Sequence, residues 1–191
     1  KGQFGQVYLV KLKTLEGVKS RVKKVFKHNE VACKIFESFG KISQDDKTNE
    51  KLKEMLLSEI KLLREVKHSN IISYVDVLRT ETKLYLFFKF CNGKDLAYFL
   101  KVRGGRIEEK LAKRIVLGIM KGARFLNKNK IMHRDLKLEN VMLHFPDYPE
   151  KGSVTDTFLK EFDFDNGNFE VVIIDLGTAK IEETQLQNTF C

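Results

Sequence analysis

A polar stretch at residues 133–140, with the sequence HRDLKLEN, places three chemically useful side chains at short spacing. Asp135 is followed two residues later by Lys137 and five residues later by Asn140. A carboxylate can accept or orient a hydroxyl proton, an ammonium can neutralise a phosphate, and an amide oxygen can bind a metal ion. Together these groups suit chemistry in which a metal-bound phosphate is held beside a hydroxyl.

A lysine and a glutamate earlier in the chain add a second set of charges. Lys34 lies in the apolar run VACKIF at residues 31–36, which predicts a strand. Glu59 lies on the apolar stripe of a helix predicted at residues 47–67. Because a carboxylate on such a stripe is unfavourable unless it is paired, we expect Glu59 to pair with Lys34. The pair would hold the lysine where it can bind α- and β-phosphates.

Two glycines and a second aspartate fit the same chemistry. Gly2 and Gly5 open the chain in the run KGQFGQV, and glycines let backbone amides close over phosphates without a side chain in the way. Asp175 follows a strand predicted at residues 171–174. Carboxylate and amide oxygens are ligands that Mg²⁺ prefers, so Asp175 and Asn140 are predicted to form a magnesium site.

The elements that would position these residues fall into two groups. Strand patterns occur at residues 4–12, 31–36, 74–78 and 84–90. With the helix at residues 47–67, these four patterns indicate an antiparallel region with one helix, for which we expect five strands. Further along the chain, helices are predicted at residues 95–101 and 108–127 and strands at residues 141–143 and 171–174. Strands first and helices after indicate an α+β fold of two lobes, with a hinge near residues 89–94.

In order along the chain, the glycines, the lysine strand, the helix glutamate, the hinge, the HRDLKLEN loop and the metal aspartate resemble a eukaryotic protein kinase catalytic domain. Lysine two residues after Asp135, with glutamate before Asn140, resembles Ser/Thr kinases more than Tyr kinases. Subfamily cues differ. CNGKDL at residues 91–96 resembles autophagy-initiating kinases, whereas KLEN at residues 137–140 is closer to calmodulin-dependent and AMP-activated kinases.

This resemblance implies both a fold and an activity. The fold is the two-lobed protein kinase fold, with an N-lobe at residues 1–90 and a partial helical C-lobe at residues 91–191. The activity is transfer of the γ-phosphate of ATP, with Mg²⁺ as cofactor, to a serine or threonine hydroxyl of a protein substrate.

The resemblance also assigns roles to the residues of the catalytic loop. Asp135 would accept or orient the substrate hydroxyl proton, and Lys137 would neutralise the transferred phosphate. Asn140 and Asp175 would hold the magnesium ions, while His133 would pack rather than act as a base.

The remaining assignments concern the nucleotide, the contact between lobes and regulation. Phe88 falls at the gatekeeper position, and Val7, Ala32 and Met142 would enclose the adenine. The expected nucleotide-binding residues are Gly2, Gly5, Val7, Ala32, Lys34, Phe88, Lys89, Cys91 and Met142. An apolar column between the lobes would consist of Leu63, Tyr74, His133 and Leu176. A phosphate on Thr189 would pair with Arg134 and order the activation loop.

Two segments are longer than the resemblance leads one to expect. Asp135 and Asp175 are 40 residues apart, so residues 144–170 form an insert, in which Asn166-Gly167 predicts a hairpin turn. Residues 11–30 form a second, basic insert. We expect both to project from the surface, where a regulatory partner could bind. Because the chain stops before the family's Ala-Pro-Glu segment, we also expect a truncated domain that is incomplete for activity.

Composition excludes some classes of protein. The 191 residues are 42% hydrophobic, which is enough for a core, and they contain no apolar run long enough to predict a membrane span. The cysteines at positions 33, 91 and 191 are far apart, which favours free thiols in the cytoplasm or nucleus. The net charge of +9 alone would suit nucleic acid, but no binding motif accompanies it, so no nucleic-acid partner is expected.

A pseudokinase that acts as a binding or scaffold module is the alternative to an active kinase. Leu176, which stands where the family usually has phenylalanine, and the two inserts favour that alternative. The residues on which phosphoryl transfer depends argue against it, because all are present: Lys34, Glu59, Asp135, Asn140 and Asp175.

Overall fold

The computed structural model describes residues 6–11, 30–36, 60–80, 82–176 and 179–181. Its first half is an antiparallel sheet with the strand order β1-β2-β4-β3. The strands are β1 (Gln6–Lys11), β2 (Glu30–Phe36), β3 (Tyr74–Arg79) and β4 (Leu84–Lys89). Among the described residues the sheet therefore has four strands, where five were expected, and the α+β class is confirmed.

A short helical segment contributes several residues to the apolar core beside the sheet. Residues 60–65 are helical (α1), within the helix predicted at residues 47–67. Leu63 on α1 is 2% exposed and lies in one apolar cluster with Leu86 of β4 and Leu176. Tyr74 packs against the same cluster, so three of the four residues of the predicted apolar column come together. Leucine at position 176 fills this core as the sequence predicted.

Two helices begin the second half, and the sequence located both of them closely. They are α2 (Leu96–Val102) and α3 (Glu109–Lys128), each one residue later than predicted. Asp95 caps α2 because its carboxylate accepts a hydrogen bond of 2.8 Å from the Tyr98 amide. Short strand pairs then follow: β5 (Ile131–Met132) with β8 (Lys180–Ile181), and β6 (Val141–His144) with β7 (Glu170–Ile173).

Helix α3 packs directly on β7 because small residues face that strand. A Cβ atom at Gly118 would lie 2.7 Å from the Val171 Cβ, and one at Gly122 would lie 2.8 Å from the Ile173 Cδ1. Glycine at these two positions lets the helix approach the strand that leads to Asp175. The close packing fixes β7, and therefore Asp175, relative to the helical part.

The insert is part of the core, and the expectation that residues 144–170 project from the surface was wrong. Phe145, Leu159 and Phe164 are at most 7% exposed and share a cluster with residues of α2 and α3. The insert is rich in aromatic residues, and burying large aromatic rings against other apolar groups is favourable. Its length suggested a surface loop, whereas its phenylalanine content was the better guide.

The insert also contains a helix that was not predicted. Helix α4 (Asp156–Glu161) begins after Thr155, whose hydroxyl accepts a hydrogen bond of 3.1 Å from the Phe158 amide. No strands flank Asn166-Gly167 within the described part, so the predicted hairpin is replaced by a turn that Asp163 closes through the amides of residues 165 and 166. Of the basic insert at residues 11–30, positions 12–29 lie outside the described residues. Among the helices described, none combines the length and apolar character that a membrane crossing needs.

Candidate active site

The catalytic loop brings its three predicted residues into direct contact. The Lys137 ammonium lies 2.8 Å and 3.1 Å from the two carboxylate oxygens of Asp135. The amide nitrogen of Asn140 donates to the backbone oxygen of Asp135 at 2.8 Å and to its Oδ2 at 2.9 Å. A 3₁₀ turn at Leu138–Asn140 places the asparagine back over the aspartate. The spacing seen in the sequence is therefore a spatial cluster.

Both charges of this cluster are stabilised by their contact. The hydrogen bond from Lys137 holds the pKa of Asp135 below its ordinary value, and the bond from Asn140 acts in the same direction. In return, the Asp135 carboxylate raises the pKa of Lys137. Asp135 is therefore an anion at neutral pH and can accept a hydrogen bond from a hydroxyl group.

His133 ties the loop to the strand that precedes Asp175. It is 8% exposed, its Nε2 lies 3.0 Å from the Ile174 carbonyl oxygen, and its Nδ1 accepts a bond of 3.3 Å from the Asp135 amide. With Nδ1 as the acceptor, Nε2 is the nitrogen that donates to the Ile174 carbonyl oxygen. The ring therefore orients Asp135 through its backbone amide.

Two residues of the site have left-handed backbone conformations. Arg134 has φ of 64° and Asp175 has φ of 59°. Such angles are unfavourable for residues other than glycine and persist only where neighbouring contacts hold them. Here the Ile174 amide donates to the Asn140 carbonyl at 2.9 Å, which joins the catalytic loop to the Asp175 segment.

Lys34 contacts Asp175 across the cleft. Its ammonium lies 3.0 Å from Asp175 Oδ1, and the lysine side chain is only 14% exposed. The predicted partner, Glu59, lies outside the described residues. Sequence reasoning placed Lys34 and Asp175 in one site but missed their ion pair, because residues so far apart in the chain carry no spacing signal.

Asn140 and Asp175 supply oxygen atoms suited to a magnesium ion. The nitrogen of the Asn140 amide is used by Asp135, so its oxygen is available to a metal ion. Asp175 contributes a carboxylate that is 43% exposed. Mg²⁺ is commonly bound by one or two protein oxygens together with phosphate and water, so this pair fits the ion.

Several expected nucleotide-binding residues share one face of the sheet. The register places Val7 opposite Lys34 and Phe88 opposite Ala32, and directly opposed residues point to the same face. Phe88 and Met142 both pack against the small cluster of Ile72, Cys91 and Val172. Gly2 and Gly5 lie outside the described residues, as does Thr189, the expected partner of Arg134.

The hinge is fastened to the insert by Asn92, a residue that sequence reasoning did not single out. Its amide nitrogen donates to the Phe145 carbonyl at 2.9 Å, and its amide oxygen accepts from the Phe145 amide at 2.8 Å. Its own carbonyl accepts from Val154 at 2.8 Å. The available signal was a polar residue inside the Cys-Asn-Gly break between the two groups of elements.

The other hinge residues are held by burial and charge. The Lys89 ammonium forms an ion pair of 3.0 Å with Glu170. Cys91 is a buried free thiol, and burial raises its pKa to about 12. Gly93 lies so close to Leu143 that a Cβ atom would be 2.2 Å from its carbonyl oxygen. These contacts hold the hinge residues in place.

A protein family and several known proteins match this chain. A model of the family described as protein kinase domain matches residues 1–191. The chain is 39% identical over 98 residues to serine/threonine-protein kinase ATG1c of Arabidopsis thaliana, covering 51% of this chain and 13% of that protein. It is 37% identical over 116 residues to ATG1b of the same plant, covering 61% of this chain and 15% of that protein.

A third relative comes from an animal. Serine/threonine-protein kinase unc-51 of Caenorhabditis elegans is 34% identical over 122 residues, which cover 62% of this chain and 14% of that protein. The matched region thus spans about a seventh of the length of these relatives. Since the family model spans the whole sequence, the chain belongs to the protein kinase domain family.

Proposed function

We propose that this chain is the nucleotide-binding and catalytic part of a protein serine/threonine kinase. It would transfer the γ-phosphate of ATP to a hydroxyl group of a protein substrate. The observation that carries the proposal is the contact of Asp135 with both Lys137 and Asn140, at 2.8–3.1 Å. The names of the relatives in plants and in the nematode support the serine/threonine class.

The residues of the candidate site would position the substrates and stabilise charge in different ways. Asp135 is oriented by Asn140 and by the ring of His133, so it can align a substrate hydroxyl. Lys137 lies beside Asp135 and can neutralise charge on the transferred phosphate. Lys34 is in reach of the nucleotide face and would exchange Asp175 for phosphate oxygens. A magnesium ion held by Asn140 and Asp175 would neutralise charge on the phosphates.

The two halves of the chain would act as lobes. Residues 1–90 would cover the nucleotide, and residues 91–191 would carry the catalytic loop, with the segment around Cys91 and Asn92 between them. The sheet face that holds Val7, Ala32 and Phe88 supports this division, because it can lie against an adenine. We place the protein in the cytoplasm or nucleus, where its buried thiols would stay reduced.

The experiment is a phosphorylation assay with labelled ATP on the full-length protein and on its Asp135→Asn variant. Asparagine has nearly the same shape but accepts a hydroxyl proton poorly, so we expect the rate to fall by about 10²–10⁴-fold. Asp76→Asn is the matched control, because Asp76 is exposed on β3. A variant at position 135 that is as active as the control would refute the proposal. Wild-type activity no higher than that of the variant would support the scaffold alternative.

A regulatory partner at one of the inserts is also part of the proposal. The chain offers positions 11–30 and 144–170 for such a contact. The second of these is the better candidate, because it packs against the hinge through Asn92 and therefore lies next to the nucleotide site.

A further inference from the structure

An open groove lies between the turn that joins α2 to α3 and the helix α4 of the insert. Its volume is about 470 Å³. The lining residues are Val102, Arg103, Arg106, Ile107, Glu108 and Lys160. None of them belongs to the candidate active site. Because Lys160 lies on α4, one wall of the groove exists only because the insert folds onto the helical part.

Arg103 makes this groove a rigid feature. Its Nη1 donates to the carbonyl oxygens of Leu159 and Lys160, both at 3.2 Å, and so joins the end of α2 to the last turn of α4. Its guanidinium also lies 5.8 Å from the Phe99 ring centroid and 5.5 Å from that of Phe164. The wall is therefore held by hydrogen bonds and cation–π contacts, and a ligand would meet a preformed surface.

The groove combines two apolar side chains with positive charge. Val102 and Ile107 are half-buried, so each presents part of an apolar side chain. Arg106 and Lys160 are exposed and form no ion pair within the described part of the chain. Among these lining residues, Glu108 is the acidic one. With Arg103, the lining carries three cations and one anion.

We propose that this groove docks an acidic peptide segment of a partner protein. An apolar side chain of the peptide would contact Val102 and Ile107, while flanking carboxylates would face Arg106 and Lys160. A peptide fits better than a nucleic acid for two reasons. The lining includes two apolar side chains, and Glu108 adds a negative charge to the three cations, which disfavours a continuous line of phosphates. Binding of such a peptide would be separate from phosphoryl transfer and would require no catalysis.

The test measures peptide binding by fluorescence anisotropy. The probe is a fluorescein-labelled peptide in which a single leucine is flanked on both sides by glutamate and aspartate, added to the full-length protein at low ionic strength. Weak, transient binding is expected for so small a contact. Replacing Arg106 and Lys160 together by glutamate should raise the Kd about tenfold or more, because two attractive charges become repulsive.

The matched control is the double variant Lys121→Glu with Arg124→Glu. These two residues are exposed on α3 and do not line the groove, and the change in net charge is identical. We expect the control to change the Kd by less than about twofold. Circular dichroism would establish that both double variants are folded. Since Asp135→Asn should bind the peptide as wild type does, this proposal can fail or succeed independently of the kinase activity.

Three outcomes would overturn the proposal. The first is no binding of the acidic peptide to the wild-type protein, and the second is an equal loss of affinity in the two double variants. The third is equal binding of a peptide with serine in place of leucine, together with equally strong competition by a uridine oligonucleotide of the same charge. That third outcome would identify a general polyanion surface and remove the role of Val102 and Ile107.

Discussion

At the scale of single residues, the site places each cation against a carboxylate. Lys137 contacts Asp135, and Lys34 contacts Asp175. Both ammonium groups are thus already fixed near the positions where phosphate oxygens would bind. Preorganised charges need little rearrangement during a reaction, and this is why they are more effective than the same groups in water. Asn140 adds orientation because it holds the carboxylate and the backbone of Asp135 together.

The hydroxyl group of Tyr74 is a buried polar group. It has no hydrogen-bond partner in the described part of the chain and lies beside the core that includes Leu63 and Leu176. A buried hydroxyl without a partner is unfavourable by about 1–3 kcal/mol. We therefore expect Tyr74→Phe to leave the free energy of unfolding unchanged or to raise it by about 1 kcal/mol, measured by urea denaturation.

Tyr148→Phe is the matched comparison for this prediction. The Tyr148 hydroxyl donates to Glu150 at 3.0 Å, and the residue is 7% exposed. Removing that hydroxyl should lower the free energy of unfolding by about 1 kcal/mol. If Tyr74→Phe destabilised the protein as much as Tyr148→Phe, the hydroxyl of Tyr74 would have a partner and the argument would fail.

At the scale of elements, the insert acts as a structural layer. Phe145 lies at its centre, with ring centroids of Phe158 and Phe162 at 5.0 Å and 4.8 Å in edge-to-face contact. Such contacts add to the free energy of burying the rings. The layer covers α2 and the first turns of α3, which would otherwise expose Leu111 and Ile115.

Phe145→Ala tests whether the insert belongs to the core. Phe145 is 1% exposed, so truncation should leave a cavity and lower the free energy of unfolding by about 3–5 kcal/mol in urea denaturation. Leu78→Ala serves as the control, because Leu78 is 53% exposed and should change stability by less than about 0.5 kcal/mol. A similarly small effect at position 145 would mean that the insert does project as a separate loop.

Sequence patterns predicted some elements well and others not at all. The amphipathic spacing of α3 and the cap at Asp95 are local signals, and both helices were found within one residue. Helix α4 has six residues and was missed, because so short a helix depends on packing more than on its own pattern. The contacts of Asn92 and the ion pair of Lys34 with Asp175 join distant segments, which periodicity cannot detect.

At the scale of the whole molecule, three contacts join the sheet, the hinge and the insert. Glu30 of β2 is 5% exposed and accepts a hydrogen bond of 3.0 Å from the Gly152 amide. Lys89 pairs with Glu170 at 3.0 Å, and Asn92 binds Phe145 through both ends of its amide. The insert therefore touches both halves of the chain. A ligand in the groove at α4 would bind to the same structural layer.

His144 lies at this junction and should make the stability of the molecule depend on pH. Its Nδ1 accepts a hydrogen bond of 3.4 Å from the backbone amide of Asn92. Burial, aided by the charge of Lys89, lowers the pKa of His144 from 6.5 to about 4. Between these two values the unfolded chain binds a proton that the folded protein does not bind. Stability contributed by the neutral ring is therefore present above pH 6.5 and is lost as the pH falls toward 4.

His144→Gln removes this titration and leaves a side chain that can still accept from Asn92. We expect the urea midpoints of wild type and variant to differ by a constant amount above pH 7, because His144 is neutral there in both the folded and the unfolded chain. As the pH falls from 6.5 to 4, the wild-type midpoint should drop more steeply than that of the variant. Below about pH 4 the folded protein also binds the proton, so the two profiles should become parallel again. Profiles that stay parallel between pH 6.5 and 4 would show that His144 binds a proton equally well in the folded and the unfolded chain. Burial at the junction would then not lower its pKa.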